Sequence, residues 1–297
     1  MGPASIGVAI VNWNRPTETI ACLESLRAAV PGPARVVVVD NGSSDGSAET
    51  LHRWAAGLAE NAPDILRSNT NRGFAAGINQ AVSRLAGDRP LTHFLLLNND
   101  ATVDPGCFAE CAAALGRAPD VGILGATIYE GARRERVWYA GGRLPRLRAL
   151  ATHDTTIPRD GAVVPTEFVT GCAMLVSRRA WETLGPLPEC YFMYFEDAEY
   201  SLRARAAGFP VLYAPRAVIH HAVGAAVRDA VRRPDTEYQF TRARVLFVRR
   251  NARGWRRMVA LGYVAVTRVA RAVGAALTGR PALAGALLRG VVDGYWR

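Results

Sequence analysis

The chain has 297 residues, of which 49% are hydrophobic and 21% charged, a composition that suits a folded protein with a sizeable core and excludes a disordered or fibrous one. All 36 basic residues are Arg, so lysine Schiff-base chemistry, a Walker-type phosphate-binding lysine and a lysine general base are excluded. The net charge of +10 is concentrated at one end, because residues 228–297 hold 15 of the Arg and only 4 of the 26 acidic residues.

The first hundred residues alternate short apolar runs with helical patterns. The apolar runs have strand length and cover residues 6–11, 35–39 and 94–97, and the helical patterns cover residues 17–29, 47–59 and 75–85. Strands that alternate with helices favour a parallel sheet covered by helices on both faces. The sequence therefore predicts an α/β fold with a mainly parallel sheet flanked by helices.

Polar residues follow each of these three predicted strands. They are Asn12-Trp13-Asn14-Arg15, Asp40-Asn41-Gly42-Ser43 and Asn98-Asn99-Asp100. Because ligands of such sheets bind at the carboxyl ends of the strands, this edge is the predicted ligand site. Asp40 could accept hydrogen bonds from a base or a ribose, or could simply cap its turn. Asp100 could hold Mg²⁺ or Mn²⁺ together with substrate phosphates, or could form an Asx-turn.

The middle of the chain has weaker patterns. Residues 125–165 show no clean period and are predicted to be irregular. Next come a predicted strand over Ala173–Ser177, a helix from about Arg179, a helix over residues 196–207 ended by Gly208, and a strand over residues 211–213. Beyond residue 229 the pattern is helical and basic to the last residue.

The densest acidic cluster lies at the start of the predicted helix over residues 196–207, directly after five aromatic or Met residues. Apolar surroundings and neighbouring acids raise the pKa of a carboxyl group towards that of a general base, so Asp197 is the candidate base, with Glu196 beside it. The alternative is that these acids only favour the helix dipole. Glu199 and Arg203 have the spacing of a structural ion pair.

Two other functions fit parts of the sequence. The segment from Gly42 to Gly46 matches the G-x-S-x-G pattern of hydrolases, with Ser44 as nucleophile and with Asp197 and His220 in triad order. Against a hydrolase, two residues separate the predicted strand from this turn, and only two strands precede it. A non-catalytic basic binding module would explain the C-terminal charge and nothing else.

Cysteine usage and the chain ends bear on the compartment. Five cysteines without a C-x-x-C pair are typical of a reduced, intracellular chain, and no basic n-region precedes the first strand, so no signal peptide is expected. Arg268 and Arg271 interrupt the apolar stretch over residues 258–277, so we expect a helix that lies on a membrane surface and does not span it. Such a basic tail suits an anionic membrane surface or nucleic acid, or is simply the solvated face of a helix.

Taken in order, these motifs resemble those of the family 2 glycosyltransferases of GT-A (Rossmann-like) fold, and in particular the bacterial rhamnosyltransferase-like branch. The resemblance runs from residue 6 to about residue 250. Asn98-Asn99-Asp100 stands where the family has its D-x-D metal motif, with Asn98 in place of the first Asp. The resemblance implies that the donor nucleotide is bound by Asn12, Asn14, Arg15, Asp40, Asn41, Gly42, Ser43, Arg72, Gly73, Asn79, Asn98 and Asn99.

The acidic cluster matches the acceptor motif of this family, in which the Asp is the base; here that residue is Asp197. The resemblance implies that the acceptor is bound by Gly171, Cys172, Glu196 and Arg203.

The resemblance also implies a metal ion, Mg²⁺ or Mn²⁺. Asp100 is the one certain carboxylate ligand of the motif, and a later histidine, His220 or His221, is the second ligand. His220 is the first choice, because the residues that precede it fit the family better.

The implied function is metal-dependent, inverting transfer of a sugar from a dTDP- or UDP-sugar to a hydroxyl of a glycan or a lipid-linked acceptor in cell-envelope polysaccharide synthesis. The branch suggests rhamnose, and substrate choice is expected to depend on residues 125–172. We expect a cytoplasmic protein that is peripheral on the inner face of the plasma membrane and binds no nucleic acid. The predicted domains are residues 1–227, with a nucleotide half (about 1–101) and an acceptor half (about 102–227), and a basic helical region over residues 228–297.

Overall fold

The computed structural model describes residues 5–88, 91–145, 147–222 and 233–296. The described strands are β1 Ile6–Asn12, β2 Arg35–Asn41, β3 Asp64–Ser68, β4 His93–Asn98, β5 Ala101–Val103, β6 Ile123–Glu130, β7 Val137–Tyr139, β8 Gly142–Arg143, β9 Thr152–His153, β10 Val164–Pro165, β11 Ala173–Ser177 and β12 Val211–His221. The described helices are α1 Pro16–Ala28, α2 Ser47–Ala56, α3 Phe74–Asp88, α4 Cys107–Arg117, α5 Arg178–Leu184, α6 Glu196–Ala206, α7 Pro234–Asn251, α8 Gly254–Leu277 and α9 Pro281–Trp296.

A ten-stranded sheet forms the centre of the molecule and confirms the predicted mainly parallel α/β fold. Its order is β10-β12-β6-β11-β4-β1-β2-β3, with β5 paired to β12 and β7 to β6. β1 to β4 run in one direction, and β11 is antiparallel to both β4 and β6. The pairing of β4 with β11 joins the two predicted halves of residues 1–227 within one sheet.

Helices cover both faces of this sheet, as the continuous apolar runs of its strands require. Val8 and Ile10 of β1 pack with residues of α1 and α4, whereas Ala9 between them packs on the other face with residues of α3, α5 and α6. All three side chains are fully buried. β1 is therefore apolar on both faces and becomes polar only at its last residue, Asn12.

The prediction that residues 125–165 are irregular is wrong at its beginning. β6 runs through Gly125 to Glu130 and pairs with both β11 and β12. A Cβ at Gly125 would lie 3.0 Å from Val169, so the glycine that hides the strand signal is needed for close packing. β12 is also longer than predicted, because it continues past Pro215 through an irregularity in its pairing with β6 between Ala214 and Val218.

The C-terminal helices pack on the sheet domain and on one another. Phe247 and Leu246 of α7 share a core cluster with Phe168 and Phe195. Glu237 of α7 is 5% exposed and forms ion pairs with Arg268 and Arg271 of α8. The two arginines that interrupt the apolar stretch are thus partners of a buried acid. The predicted domain boundary at residues 227–228 lies outside the described residues.

Among the described helices, α8 is long and apolar enough to cross a membrane by length and composition alone, with a mean hydropathy of 1.3. The sequence prediction had excluded a spanning helix on account of Arg268 and Arg271. One third of the apolar window is buried inside the molecule. A single helix of this kind is weak evidence for a membrane span.

Candidate active site

The ends of β1 and β2 are tied together by buried polar side chains. Asn12 and Asp40 are neighbours in the parallel register, and both are fully buried. Asn12 Nδ2 donates to Asp40 Oδ1 at 2.7 Å, and the Ser43 hydroxyl donates to the same oxygen at 2.5 Å. Asp40 was a candidate for direct nucleotide contact, but its carboxylate is turned inward and orders the loop.

Thr19 extends this network and was missed in the sequence analysis. Its hydroxyl donates to Asn12 Oδ1 at 2.8 Å and accepts a hydrogen bond from Asn99 Nδ2 at 2.9 Å. Thr19 therefore connects the end of β1 to the loop after β4. A threonine in the first turn of a helix carries no sequence signal of this role.

Asn14 and Arg15 form the partly exposed part of the first loop. Asn14 has a left-handed backbone (φ 53°), and its backbone N–H donates to Ser43 Oγ at 2.9 Å. Arg15 Nη1 lies 4.0 Å from Asp100 Oδ2. The loop thus presents one cation beside the carboxylate predicted to bind metal.

Two glycines, Gly42 in the loop after β2 and Gly73 in the loop after β3, allow backbone segments to approach closely. Gly42 and Gly73 have positive φ angles of 71° and 89°. A Cβ at Gly42 would lie 2.6 Å from the backbone of Thr70, and one at Gly73 would lie 2.3 Å from the carbonyl oxygen of Phe192. Asn41 Nδ2 donates to the carbonyl oxygen of Gly73 at 3.0 Å. These contacts fix residues 71–73 against both β2 and the aromatic run before α6.

Arg72 and Asn79 hold a neighbouring segment. Arg72 Nη2 donates to Glu189 Oε2 at 2.9 Å, and Asn79 Nδ2 donates to Glu189 Oε1 at 2.9 Å. The amide of Asn79 also bonds the backbone of Leu187. Two predicted donor-binding residues are therefore engaged with the segment before the aromatic run. Glu189, their shared partner, was missed in the sequence analysis.

Asp100 and His221 form the candidate metal site. His221 Nε2 lies 3.0 Å from Asp100 Oδ1, and the residue is 7% exposed. Burial alone would lower the pKa of His221, but Cys172 and Asp100 raise it to about 11. For Asp100, the His221 contact and the charge of Arg15 outweigh burial and hold the pKa below its ordinary value.

His220 does not share this site, which corrects the first choice made from the sequence. Its Nδ1 lies 3.3 Å from the carbonyl oxygen of Gly131, and its Nε2 lies 4.0 Å from Asp104. β5 pairs with β12 so that Ala101 is opposite His221. Because successive side chains of a strand point to opposite faces, only one of the two histidines can face Asp100.

The donor set of Asp100 and His221 suits Mg²⁺ or Mn²⁺. The carboxylate of Asp100 is the kind of ligand that both ions favour, the imidazole of His221 is more typical of transition metals, and substrate phosphates commonly complete the coordination. Among the described residues no group of three or more His, Cys, Asp or Glu could hold a metal by itself. Water or substrate oxygens would therefore have to supply further ligands.

Glu196 and Asp197 begin α6 after Tyr194 and Phe195, which both have left-handed backbones. Asp197 Oδ2 accepts from the Gly171 backbone N–H at 2.8 Å, and Oδ1 accepts from that of Ala198 at 2.7 Å. Burial raises the pKa of Asp197. Burial, then the charge of Asp197, raises that of Glu196, whose buried Oε2 has no hydrogen-bond partner in the described part of the chain.

Gly171 and Cys172 bring the acid pair and the metal-site residues to one place. Gly171 donates its N–H to Asp197, and Cys172, the next residue, lies beside the His221 ring. The carbonyl oxygen of Cys172 also accepts the backbone N–H of Asn98 at 2.9 Å. Two consecutive residues at the start of β11 thus separate the candidate base from the candidate metal ligands.

Arg203 lies elsewhere, although it was predicted to bind acceptor and to pair with Glu199. Its guanidinium donates to the carbonyl oxygens of Leu184 and Pro186, near the end of α5. Glu199 pairs instead with Arg250 of α7, with Nη2 to Oε1 at 2.8 Å. The carbonyl groups at a helix end are strong acceptors, which explains why Arg203 turns to them.

Ser44 is not assembled into a hydrolase site. It is exposed in the loop after β2. The sheet order places four strands between β2 and β12, which carries His220. The G-x-S-x-G match is therefore a coincidence of a turn sequence.

Two cavities, of about 860 Å³ and 880 Å³, open away from this site. The first lies around Arg35 and Asp64 at the start of β2 and β3, and the second around Thr166 and Leu212 near β10 and β12. Neither is lined by a residue of the candidate site.

Comparison with known proteins gives a family match over most of the chain. The sequence model of a family described as "Glycosyltransferase like family 2" matches residues 3–256. A curated relative, the N-acetylglucosaminyl-diphospho-decaprenol L-rhamnosyltransferase of Mycobacterium tuberculosis, is 28% identical over 228 residues. The match covers 70% of this chain and 73% of the relative.

Solved structures share the fold. A mannosyltransferase of Pyrobaculum calidifontis, in complex with GDP-Man and Mn²⁺, matches with a TM-score of 0.61 and 17% identity, covering 100% of this chain and 90% of its own. GalNAc-T7, with UDP, GalNAc and Mn²⁺, matches with a TM-score of 0.61 and 16% identity over 74% of this chain, which is 43% of the longer GalNAc-T7 chain. Both are GT-A glycosyltransferases, and the architecture described above is theirs.

Proposed function

The chain belongs to the glycosyltransferase-like family 2, and from this premise we propose that it moves a sugar from a nucleoside-diphosphate donor to an acceptor hydroxyl with inversion, Asp197 acting as general base. The observation that carries the proposal is the turn at Gly171 and Cys172. It places Asp197 on one side and the Asp100–His221 pair on the other. A base for the incoming hydroxyl and a site for the leaving diphosphate are what a single displacement needs.

On the donor side, the loops after β1, β2 and β4 would bind the nucleotide. Asn14 and Arg15 are partly exposed, and Arg15 lies 4.0 Å from Asp100, so these two residues are the candidates for direct contact. Asn12, Asp40 and Ser43 would act by holding the shape of the loop. The motifs predict nucleotide binding for all five residues, whereas we propose direct contact for Asn14 and Arg15 only.

Asp100 and His221 would hold Mg²⁺ or Mn²⁺ against the diphosphate. A bound divalent cation supplies positive charge that stabilises the negative charge growing on the leaving phosphate. Arg15, 4.0 Å from Asp100, would add a second positive charge to the same region.

At the reacting centre, the acceptor oxygen would attack the anomeric carbon while its proton passes to Asp197. The bond between that carbon and the diphosphate oxygen breaks on the opposite face of the sugar, which inverts the configuration. Asp197 is partly exposed, whereas Glu196 is 6% exposed. Asp197 is therefore the better placed of the two carboxyl groups to meet a substrate. Glu196 would influence the pKa of Asp197 through its charge.

The finer substrate assignment follows the curated relative. That protein is named for rhamnose transfer to a diphospho-decaprenol-linked acceptor. We propose a dTDP- or UDP-sugar donor, with rhamnose as first candidate, and a glycan or lipid-linked acceptor of the cell envelope.

A lipid-linked acceptor would require the site to work beside a membrane, and α8 has a suitable surface. Its 24 residues extend about 36 Å at 1.5 Å per residue. The exposed apolar face, named here the outer face of α8, consists of Trp255, Met258, Val259, Tyr263, Val266, Val269, Val273 and Leu277. Arg253, Arg256 and Arg257 are exposed at its beginning. We propose that this face rests on the anionic inner leaflet of the plasma membrane.

Donor turnover tests the enzymatic proposal. The purified chain is screened by thermal shift against dTDP-, UDP- and GDP-sugars with and without Mn²⁺, and transfer to a polyprenyl-diphosphate-linked sugar is then followed by NMR at the anomeric carbon. We expect one donor to stabilise the protein only with metal, and the product to be inverted. A retained configuration, or no donor binding and no transfer, would contradict the proposal.

Vesicle co-sedimentation tests the membrane proposal. Val266→Glu places a charge on the outer face of α8, and Val30→Glu, at a site 78% exposed on another surface, is the matched control. Losing the burial of one valine, worth roughly 1.5–3 kcal/mol, lowers affinity for anionic vesicles about 10-fold or more. Equal binding by the two variants would remove this role for α8.

A further inference from the structure

Helix α7 contacts helix α6, which carries Glu196 and Asp197, through the buried carboxylate of Glu199. Glu199 of α6 is 2% exposed, and Arg250 of α7 donates from Nε to Oε2 at 2.9 Å and from Nη2 to Oε1 at 2.8 Å. Asn251 Nδ2 donates to Oε2 at 3.1 Å, and the Tyr191 hydroxyl donates to the same atom at 2.6 Å. A two-pronged guanidinium contact fixes orientation as well as distance.

A second contact, between α7 and the two residues that precede α6, lies on the other side of Asp197. The rings of Phe195 and Phe247 have centroids 5.1 Å apart, and the ring of Phe240 lies 5.5 Å from those of both Tyr194 and Phe195. Tyr194 and Phe195 are the two residues with left-handed backbones. Residues without glycine's freedom keep this backbone only where their surroundings enforce it, and here the rings of α7 do so.

Asp197 therefore lies between two points at which α7 holds α6. The left-handed turn precedes it by two residues, and Glu199 follows it by two. From these contacts we propose that Arg250 is a positioning residue, which acts through Glu199 to keep the Asp197 carboxylate aimed at the acceptor hydroxyl. The inference rests on the proposed function of Asp197 as base. In this role α7 supports the active site, in addition to connecting the sheet domain to the helices that follow.

The adjacent arginine provides a control. Arg249 Nη1 donates to the carbonyl oxygen of Gly294 in α9, at 2.9 Å, and so turns away from α6. Replacement of Arg249 perturbs the packing of α7 without touching Glu199. A difference between the two arginines separates positioning from general stability of the helix.

The test compares Arg250→Gln, Arg250→Lys and Arg249→Gln in the full chain, with thermal unfolding recorded for each and assays run below every unfolding temperature. We expect Arg250→Gln to lower kcat 10-fold or more while the KM for donor changes less than twofold. Arg250→Lys keeps the positive charge but loses the two-pronged hydrogen bonding of the guanidinium to Glu199. Its kcat should therefore lie between those of wild type and Arg250→Gln. Arg249→Gln should retain kcat within twofold.

If Arg250→Gln does not fold, Arg250→Lys carries the test, with a kcat at least threefold below wild type at unchanged donor KM. The role is overturned if a folded Arg250 variant keeps wild-type kcat, if kcat and donor binding fall together, or if Arg249→Gln loses as much. A wild-type chain without sugar transfer would overturn the proposed function itself, whereas an active wild type with unaffected Arg250 variants overturns only the positioning role.

Discussion

The loops at the ends of β1 and β2 and the first turn of α6 hold their polar groups in different ways. In the loops, Asp40 is fully buried and accepts hydrogen bonds from Asn12 and Ser43. At α6, Glu196 and Asp197 lie side by side, and burial raises the pKa of both. The first region uses its hydrogen bonds for shape, whereas in the second burial outweighs the two backbone hydrogen bonds that Asp197 accepts and leaves Glu196 Oε2 without a partner among the described residues. Under the proposed function, stability and reactivity would thus be separated within one site.

The largest expected effect lies at α6. Asp197→Asn removes the base and keeps the shape, so kcat should fall by about 10²–10⁴-fold while donor affinity is retained. Steady-state kinetics and donor titration measure the two quantities. Glu196→Gln is the matched control and should retain far more activity. If Glu196→Gln were the inactive variant, the base would be Glu196 and the roles of the two acids would be reversed.

The metal site gives the next effect and decides between the histidines. His221→Ala removes a proposed ligand 3.0 Å from Asp100, and we expect Mn²⁺ affinity in the presence of nucleotide to fall about 10–100-fold, as for lost metal-site contacts generally. His220→Ala should leave that affinity within twofold. Calorimetric titration with Mn²⁺ and a nucleoside diphosphate provides the readout. A larger loss for His220→Ala would contradict the assignment.

On the donor side the expected effect is on folding. Asp40→Asn exchanges charge-assisted hydrogen bonds for neutral ones, which should lower the free energy of unfolding by about 1–2 kcal/mol. Urea unfolding at fixed pH measures it. If Asp40→Asn were as stable as wild type and yet lost donor affinity, Asp40 would contact the nucleotide, and the contrast between the two regions would fail.

Stability should also depend on pH through the raised pKa of Glu196. A carboxyl group whose pKa is higher in the folded than in the unfolded state keeps its proton longer when folded, so stability falls as pH rises from the ordinary carboxyl range through the raised pKa. Glu196→Gln removes one such group. The variant should gain stability relative to wild type as pH rises through this range, measured by urea unfolding at several pH values. A constant difference would contradict the raised pKa.

Much of the fold could be predicted because local patterns agreed with tertiary structure. The strands β1, β2 and β4 were predicted from apolar runs, and helices α1, α2, α3 and α6 begin within one residue of their predicted starts. β6 was missed because Gly125 and its surroundings break the strand pattern. That glycine is required by Val169, a contact 44 positions away that no local pattern contains.

Within the site, the sequence identified residue types better than pairings. His220 and His221 are adjacent residues of the same type, so the sequence alone does not tell which one faces Asp100. The register of β12 against β5 distinguishes them. Glu199 was assigned to Arg203 by helix spacing, whereas its partner is Arg250, brought in by the packing of α7. The i,i+4 rule describes neighbouring side chains on one helix. It carries no information about a side chain that a second helix brings to the same carboxylate.

The continuous pairing of β4 with β11 sets a mechanical limit on this molecule. Five residue pairs, from Leu97 with Ala173 to His93 with Ser177, join the predicted nucleotide half to the predicted acceptor half without an interruption. A continuous sheet does not open as hinged lobes do, so the separation between the proposed base Asp197 and the proposed metal ligands would be fixed before a substrate binds. Under the proposed function, differences in substrate choice would then depend on the peripheral loops.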